Sequence, residues 1–230
     1  MIPSIGRCST SKMKLYLRAV KYVAKGTERI VEPFANFAYF SLACVLDGYS
    51  NKVLLNFNDP IYAYLFKLIV DKPVYVSDGY EDLWTGQFRY NEGSYYDSLK
   101  DKFNYSDMNR KALILSFLLQ KSKKDFTEDK STYGKKPKEM EETYKRISLL
   151  LKDRTEIRVK DDNVFNTARN GDTFFLEGIN REGEILIKND IDFILLPRKP
   201  MGYRRLQELK SLSKNVWVDN SDNIIYLKRG

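Results

Sequence analysis

The chain has 230 residues and a formal net charge of +8, a length that suits one α/β domain with an inserted module or two small domains. It contains no histidine, which excludes Ser-His-Asp and Cys-His catalysis and imidazole metal ligands. Proton transfer would have to use Asp, Glu, Lys, Tyr or water, and the basic charge favours a polyanionic partner.

The N-terminal part of the chain alternates predicted strands and helices. A strand over residues 29–33, which ends at its proline, is followed by a helix over 36–47. A second strand over 52–58 leads into a helix that begins at Asp59 with Pro60 in its first turn, where proline is tolerated. This strand–helix–strand–helix order within a short stretch predicts a parallel α/β sheet.

The rest of the chain predicts helices followed by further strands. Residues 78–105 are aromatic and polar, and 121–138 are rich in lysine without a core pattern. Ser106 or Asp107 can cap a helix that runs to residue 119. The remaining predicted elements are helices over 139–152 and 203–212, strands near 156–159, 173–176, 184–187 and 193–196, and a hairpin that pairs 216–218 with 224–227.

Composition predicts a soluble protein that does not span a membrane. No apolar run approaches the roughly 18 residues of a membrane-spanning helix, and the N-terminus lacks the apolar stretch of a signal peptide. We therefore expect a cytoplasmic location, in the host cytoplasm if the chain is viral. Cys8 and Cys44 predict buried reduced thiols rather than a disulfide framework or a zinc site, and no metal is expected.

Five short blocks follow one another in the chain. They are residues 31–35 (Val-Glu-Pro-Phe-Ala), 55–59 (Leu-Asn-Phe-Asn-Asp), 95–104 (with Tyr-Tyr, Leu-Lys and Phe-Asn), 133–138 (Tyr-Gly-Lys-Lys-Pro-Lys) and 171–176 (Gly-Asp-Thr-Phe-Phe-Leu). In this order and spacing they resemble the DNA adenine methyltransferases of the Dam type. The first two are similar to that family's cofactor loop and second strand, the next two flank its target-recognition region, and the last approaches its catalytic turn.

The resemblance implies an α/β fold, with a Rossmann-like methyltransferase sheet and an inserted helical and loop module for target recognition. It divides the chain into a first part of the core over 1–77, a DNA-recognition insert over 78–138, and a second part of the core with the tail over 139–230. It also implies S-adenosylmethionine as a possible cofactor, held by Lys21, Glu32, Phe34 and Asp59. Without the resemblance, Glu32 is a strand-end charge and Asp59 is the start of a helix.

The family's catalytic turn, Asp-Pro-Pro-Tyr, corresponds to Glu177, Gly178, Ile179 and Asn180. The resemblance makes Glu177 and Asn180 the candidate catalytic residues, with Glu177 as general base or as acceptor for a base amine. Glu177 can equally be a polar strand-end residue that caps nearby amides. Asn180 has no stacking face, and the Gly-Ile pair lacks the rigidity of two prolines.

The two cofactor loops also depart from the family pattern. Residues 36–39 read Asn-Phe-Ala-Tyr where the family has glycines that let the backbone approach a ligand. Residues 16–21, ending in Lys21, have bulky side chains in place of the family's N-terminal glycine loop. Ordinary adenine methylation is therefore not expected, and the co-substrate stays open.

The lysine-rich run lies where the family reads DNA, which predicts double-stranded DNA as the partner. Lysine contacts phosphate without reading base sequence. Each neutralised phosphate steepens the slope of log affinity against log salt concentration by about one. The same run can be a solvated loop, and Tyr95 and Tyr96 can stack on bases, although core packing is favoured for them. The candidate contacts are Lys121, Lys123, Lys124, Thr132, Tyr133, Lys135, Lys136 and Lys138.

Three functions follow from these patterns. The favoured one is a base-flipping, base-modifying transferase that no longer uses standard adenine methylation. The second is a non-catalytic DNA-binding pseudo-methyltransferase, and the third is an active, divergent adenine methyltransferase. An open cavity between Phe34, Asp59 and Glu177 would favour chemistry, whereas Phe37 or Tyr39 filling that space would favour a scaffold. The sequence leaves the target base and the oligomeric state open.

Overall fold

The computed structural model describes residues 2–6, 9–89, 94–122, 134–177, 184, 186–187, 189, 191–197, 201–213, 215–219, 221 and 224–227. The chain divides into two compact units. The helical unit comprises Met1–Cys8 and Asp59–Lys152, and the sheet unit comprises Ser9–Asn58 and Asp153–Gly230. No helix in the described part of the chain is both long and apolar enough to cross a membrane.

The described residues form eight α-helices and seven strands. The helices are α1 (Thr10–Ala19), α2 (Tyr39–Leu46), α3 (Pro60–Asp71), α4 (Pro73–Gly86), α5 (Ser94–Tyr105), α6 (Met108–Lys121), α7 (Pro137–Leu151) and α8 (Tyr203–Leu212). The strands are β1 (Arg29–Ala35), β2 (Lys52–Phe57), β3 (Thr155–Val159), β4 (Asp172–Glu177), β5 (Asp192–Leu196), β6 (Val216–Asp219) and β7 (Ile224–Leu227).

The strands form one sheet in the order β3-β2-β1-β4-β5-β7-β6. Strands β1 to β5 are parallel, and β7 is antiparallel to both β5 and β6. The first strands extend outward from β1 on one side and from β4 on the other, which is the doubly wound order of a Rossmann-like sheet. The predicted fold class, α/β with a Rossmann-like sheet, is confirmed.

Both faces of the sheet are covered, as expected for parallel strands with near-continuous apolar sequences. Neighbouring strand residues point to opposite faces, and β4 shows this directly. Phe174 belongs to a buried cluster with Leu54, Phe193 and Leu209. Phe175 stacks instead on Phe40 of α2, with ring centroids 4.1 Å apart and planes 9° from parallel. Helices therefore pack on each side of β4.

Strand β1 continues beyond the predicted end at Pro33, so that boundary was wrong. The register between β1 and β2 shifts between Glu32 and Ala35, which accommodates a residue that has no N–H to donate. Buried Asn56 closes the gap, because its Nδ2 donates to the carbonyls of Pro33 and Asp161, each at 3.1 Å. Its Oδ1 accepts from the Asp161 amide at 3.1 Å.

The predicted strand at 184–187 was also wrong. Glu184, Leu186 and Ile187 are helical, and the two apolar residues are buried in the cluster around Phe174. A short apolar run cannot distinguish a buried strand from a buried helical turn. The segment here covers one face of the sheet rather than extending it.

The helical unit joins β2 to β3 and contains α3 to α7. Its core includes Tyr80 and Tyr95, whose rings lie 5.9 Å and 6.0 Å from that of Phe117. The Tyr95 hydroxyl donates to the Leu83 carbonyl at 3.0 Å, and Tyr96 is 2% exposed. Both tyrosines are core residues, as favoured from the sequence. The unit extends further in both directions than the predicted insert over 78–138, whose role in DNA recognition stays a prediction.

Candidate functional site at the ends of β1 and β4

The carboxyl ends of β1 and β4 form the candidate site. In open α/β sheets, ligands bind beyond the carboxyl ends of the strands at the point where the strand order reverses. Val31 pairs with Phe174 across these two strands. Glu32 follows in β1 and Glu177 is the last residue of β4. The sequence-predicted carboxylates Glu32 and Glu177 are therefore on adjacent strands at the reversal point.

Glu32 is held by the first turn of α2. Its Oε1 accepts from the backbone amide of Ser41 at 2.8 Å and from the Ser41 hydroxyl at 2.6 Å. The first helical turn presents free N–H groups and a partial positive charge, and in nucleotide-binding folds this end of the helix receives an anionic ligand group. In this protein the chain's own carboxylate takes that position, and Glu32 is 5% exposed.

The protonation of Glu32 is shifted by its surroundings. Burial raises the pKa of its carboxyl from 4.5 to about 7, although both hydrogen bonds from Ser41 lower it. The negative charge of Glu177 raises the pKa further, and Lys12 lowers it. Burial is therefore the main reason why the pKa of this carboxyl lies close to neutral pH.

Glu177 is held by α1. The Tyr16 hydroxyl donates to Oε1 of Glu177, and the Lys12 ammonium lies 3.1 Å from Oε2. Lys12 and Tyr16 are four residues apart and so lie on the same face of the helix. Ser9 begins that helix, because its hydroxyl accepts from the Lys12 amide at 3.2 Å. Residues 16–21, which the resemblance aligns with the family's N-terminal glycine loop, form the end of this helix and part of the 3-10 turn that follows it.

Aromatic rings fill the space beside the two carboxylates. The Tyr16 ring lies 5.9 Å from that of Tyr39 and 5.8 Å from that of Phe175. The Phe37 ring lies 5.5 Å from Tyr39. Tyr16 and Tyr39 are only 4% and 5% exposed. Within the sheet unit, Tyr39 therefore packs against the ring whose hydroxyl donates to Glu177.

The turn between β1 and α2 keeps a backbone shape suited to glycine without having one. Ala38, the residue before α2, has a φ of 51°, a left-handed conformation that costs a non-glycine residue roughly 1–2 kcal/mol. Ala38 is also 1% exposed, so its methyl group adds to the packing. These residues fit S-adenosylmethionine poorly, because Ala38 has a methyl group where a glycine would let the backbone approach a ligand, and Glu32 already accepts from the first turn of α2.

The other predicted cofactor residues have local contacts of their own. Asp59 is exposed and caps α3, with its Oδ1 accepting from the Ile61 amide at 3.0 Å. Phe34 is 37% exposed, and its ring lies 5.9 Å from Phe165. Lys21 is exposed in the 3-10 turn after α1. Asn180 lies outside the described residues.

The predicted DNA contacts have different environments. Lys121 is buried at 8% exposed. Lys135 is half-buried and donates to the Ser4 carbonyl at 3.1 Å, and burial lowers the pKa of its ammonium. Lys136 and Lys138 are exposed at the start of α7. Lys123, Lys124, Thr132 and Tyr133 lie outside the described residues.

Sequence reasoning missed Lys12, Tyr16 and Ser41. The i, i+4 pair after a Ser9 cap could have indicated a helix with Lys12 and Tyr16 on one face. Nothing local indicated that this face would meet Glu177, because the Tyr16 contact joins residues 161 positions apart.

We expect Tyr16→Phe to lower the free energy of unfolding by about 1–2 kcal/mol, because the carboxylate of Glu177 loses a hydrogen bond from a buried hydroxyl. Urea denaturation of the whole chain would measure this. Tyr105→Phe is the control, since the Tyr105 ring is 92% exposed, and it should change stability by less than about 0.5 kcal/mol. Equal stability of the two variants would contradict the assigned contact.

No protein-family model and no curated protein matches the chain. Among solved structures, the chain is similar to an uncharacterized protein from Listeria monocytogenes serotype 4b, with 10% identity and a TM-score of 0.38. That match covers 96% of this chain and 66% of the Listeria chain. The chain is also similar to the rRNA methyltransferase aviRa from Streptomyces viridochromogenes, with 8% identity, a TM-score of 0.38, and coverage of 97% and 88%.

Similarities at this level assign no family and no activity to the chain. The Dam-type resemblance stays a prediction. The strand order establishes a Rossmann-like sheet, and Glu32 and Glu177 lie on the two adjacent strands where that order reverses.

Proposed function

We propose that this protein is a non-catalytic, double-stranded DNA-binding protein built on a methyltransferase-like scaffold. The observation that carries the proposal is the internal occupation of the candidate site. Glu32 accepts hydrogen bonds from Ser41 in the first turn of α2, and Glu177 accepts from Tyr16 and forms an ion pair with Lys12. A catalytic site needs groups placed to meet a reacting atom, whereas both carboxylates here are directed to protein partners.

DNA as the partner is supported by charge. The net charge of +8 and the pI of about 9.2 are typical of proteins that bind polyanions. Exposed lysines also occur in the part of the chain that resembles the family's recognition region, at Lys136 and Lys138. Lysine contacts to phosphate would give binding without sequence preference.

Two measurements test this proposal. Calorimetric titration with S-adenosylmethionine is expected to show no micromolar binding, because Tyr16 and Tyr39 are buried and Glu32 already accepts from the first turn of α2. A mixed-sequence duplex is expected to bind at low salt and to weaken steeply between about 50 and 200 mM salt. Micromolar binding of S-adenosylmethionine would favour an active methyltransferase instead. Failure of the duplex to bind even at low salt would overturn the proposed function.

A second candidate is the base-modifying transferase favoured from the sequence. One observation supports it: the pKa of Glu32 is raised to about 7 by burial, next to Glu177. Carboxyls that can exchange a proton at neutral pH are common in catalytic sites. Glu177→Gln decides between the candidates. For a transferase, this variant would bind DNA normally but abolish modified nucleosides in the DNA of expressing cells, as measured by mass spectrometry.

A further inference from the structure

We propose that the outer side of α1 and of the turns that follow it is a phosphate-binding surface for double-stranded DNA. This basic face consists of Lys14, Arg18, Lys21 and Lys25, all of which are exposed. The inference rests on the proposed function, since it names a surface through which the sheet unit would contact the duplex. It is a different part of the chain from the lysine-rich run at 121–138.

The spacing of the basic residues places them together. Lys14 and Arg18 are four residues apart and so lie on the same side of α1, and Lys21 follows three residues later in the 3-10 turn that continues the helix. Tyr16 and Ala19 occupy the opposite side and are 4% and 0% exposed. The helix therefore has one side packed in the candidate site and one basic side in solvent.

The sign of the charge on this segment is uniform. Residues 9–27 contain no Asp or Glu, but they contain five Lys or Arg residues. Lys12 is the cation that faces inward, 3.1 Å from Glu177. A helix side that is only solvated usually mixes both signs. The four outward cations thus form a concentrated positive surface.

The dimensions of the basic face fit a duplex backbone. Lys14 and Lys21 are separated by about 10 Å along the helix at 1.5 Å per residue. This is close to the length of three base-pair steps at roughly 3.4 Å each. Lys and Arg at such spacing can neutralise neighbouring phosphates, and phosphate contacts position a protein without reading base sequence.

A membrane surface fits the same helix less well. Helices that lie in a membrane interface bury an apolar side of their own in the lipid. The apolar side of α1 is already packed in the sheet unit, where Tyr16 contacts Tyr39 and Phe175. Leu17, at 41% exposed, borders the basic face, and one leucine gives little area for insertion. Charge without a free apolar side favours nucleic acid.

The test compares two triple variants of the whole chain. Lys14→Gln/Lys21→Gln/Lys25→Gln removes three charges from the basic face. Lys52→Gln/Lys67→Gln/Lys210→Gln removes the same charge from exposed lysines outside both the basic face and the predicted recognition insert. Affinity for a fluorescent mixed-sequence duplex is measured by anisotropy over a salt series. We expect the variant with three substitutions in the basic face to bind at least tenfold more weakly near 100 mM salt, with a slope of log affinity against log salt smaller by about 2–3. The control variant should keep the affinity and the slope of the unaltered protein.

Each other outcome decides against this surface. Equal losses in both triples would show that only net charge matters. Unchanged binding by the α1 triple, while the unaltered protein binds, would remove the surface and leave the proposed function intact. No binding by the unaltered protein would overturn both. If the protein did not bind the duplex but bound phosphatidylserine vesicles through the same lysines, the basic face would be a membrane-binding surface.

A charge-preserving variant guards against a folding artefact. Lys14→Arg/Lys21→Arg/Lys25→Arg keeps the positive face and should bind the duplex as the unaltered protein does. Circular dichroism should show the same helix content for all variants, because Gln and Arg are good helix formers at exposed positions. Loss of binding in the arginine triple, with its fold intact, would overturn the proposal.

Discussion

Glu32→Gln is expected to stabilise the protein above neutral pH by about 3 kcal/mol and to leave its stability nearly unchanged near pH 4. The pKa of Glu32 rises from 4.5 in the unfolded chain to about 7 in the folded protein, chiefly through burial. At 1.36 kcal/mol per pKa unit, this shift corresponds to about 3 kcal/mol. Glutamine keeps a carbonyl oxygen that can accept from Ser41 but carries no charge to bury.

The direction follows from proton binding. Between pH 4.5 and about 7 the folded protein retains a proton on Glu32 that the unfolded chain has lost, so the stability of the unaltered protein falls as pH rises. The contribution is fully present below pH 4.5 and is lost above about pH 7. The Glu32→Gln variant lacks this dependence, and the difference between the two proteins should therefore grow across that window and then stay constant.

Urea denaturation at a series of pH values measures this difference. Glu28→Gln is the matched control, because it removes an exposed carboxylate from the same unit, and it should change stability by less than about 0.5 kcal/mol. A Glu32→Gln effect that is independent of pH would show that the pKa of Glu32 is the same in the folded and the unfolded chain. The assigned environment of the carboxyl at α2 would then be wrong.

The elements predicted correctly are those that depend on neighbouring residues in the sequence. Asp59 and Asp107 accept from backbone amides at the starts of α3 and α6, as their positions before helical patterns predicted. The apolar run at 173–176 became β4 because it is buried on both faces of the sheet. The wrong boundaries depended on contacts from elsewhere, such as the support that Asn56 gives Pro33.

The candidate site was predicted in part. The family resemblance identified Glu32 and Glu177 from their places after apolar strands, and the parallel register brings those strand ends together. It did not identify Tyr16 and Lys12, because their contacts with Glu177 depend on how α1 packs against the sheet. The meaning of the bulky residues at 36–39 likewise required the structure, since only burial shows that Tyr39 points inward.

Asp172→Ala is expected to cost about 3–5 kcal/mol of unfolding free energy, because it leaves the Arg29 charge buried without its partner. The two residues are paired across β1 and β4. Arg29 donates from Nε to Oδ1 at 3.0 Å and from Nη2 to Oδ2 at 2.6 Å. Their side chains are 12% and 3% exposed, so water would replace little of the lost interaction.

Two controls separate the buried charge from the loss of an ion pair as such. Glu141→Ala breaks the exposed pair between Glu141 and Lys145, whose side chains are 43% and 53% exposed, and should cost no more than about 0.5 kcal/mol. Arg29→Leu/Asp172→Leu removes both charges and should be far less destabilising than Asp172→Ala, because a buried pair can be replaced by apolar side chains at little net cost. Urea denaturation at neutral pH would compare all three.

If the double variant were as unstable as Asp172→Ala, the loss would come from packing or from the bonds to Thr167 and Arg169, and the guanidinium would not be the cause. The expected order, in which only Asp172→Ala is strongly destabilised, would show that the unpaired Arg29 charge between these two strands causes the loss.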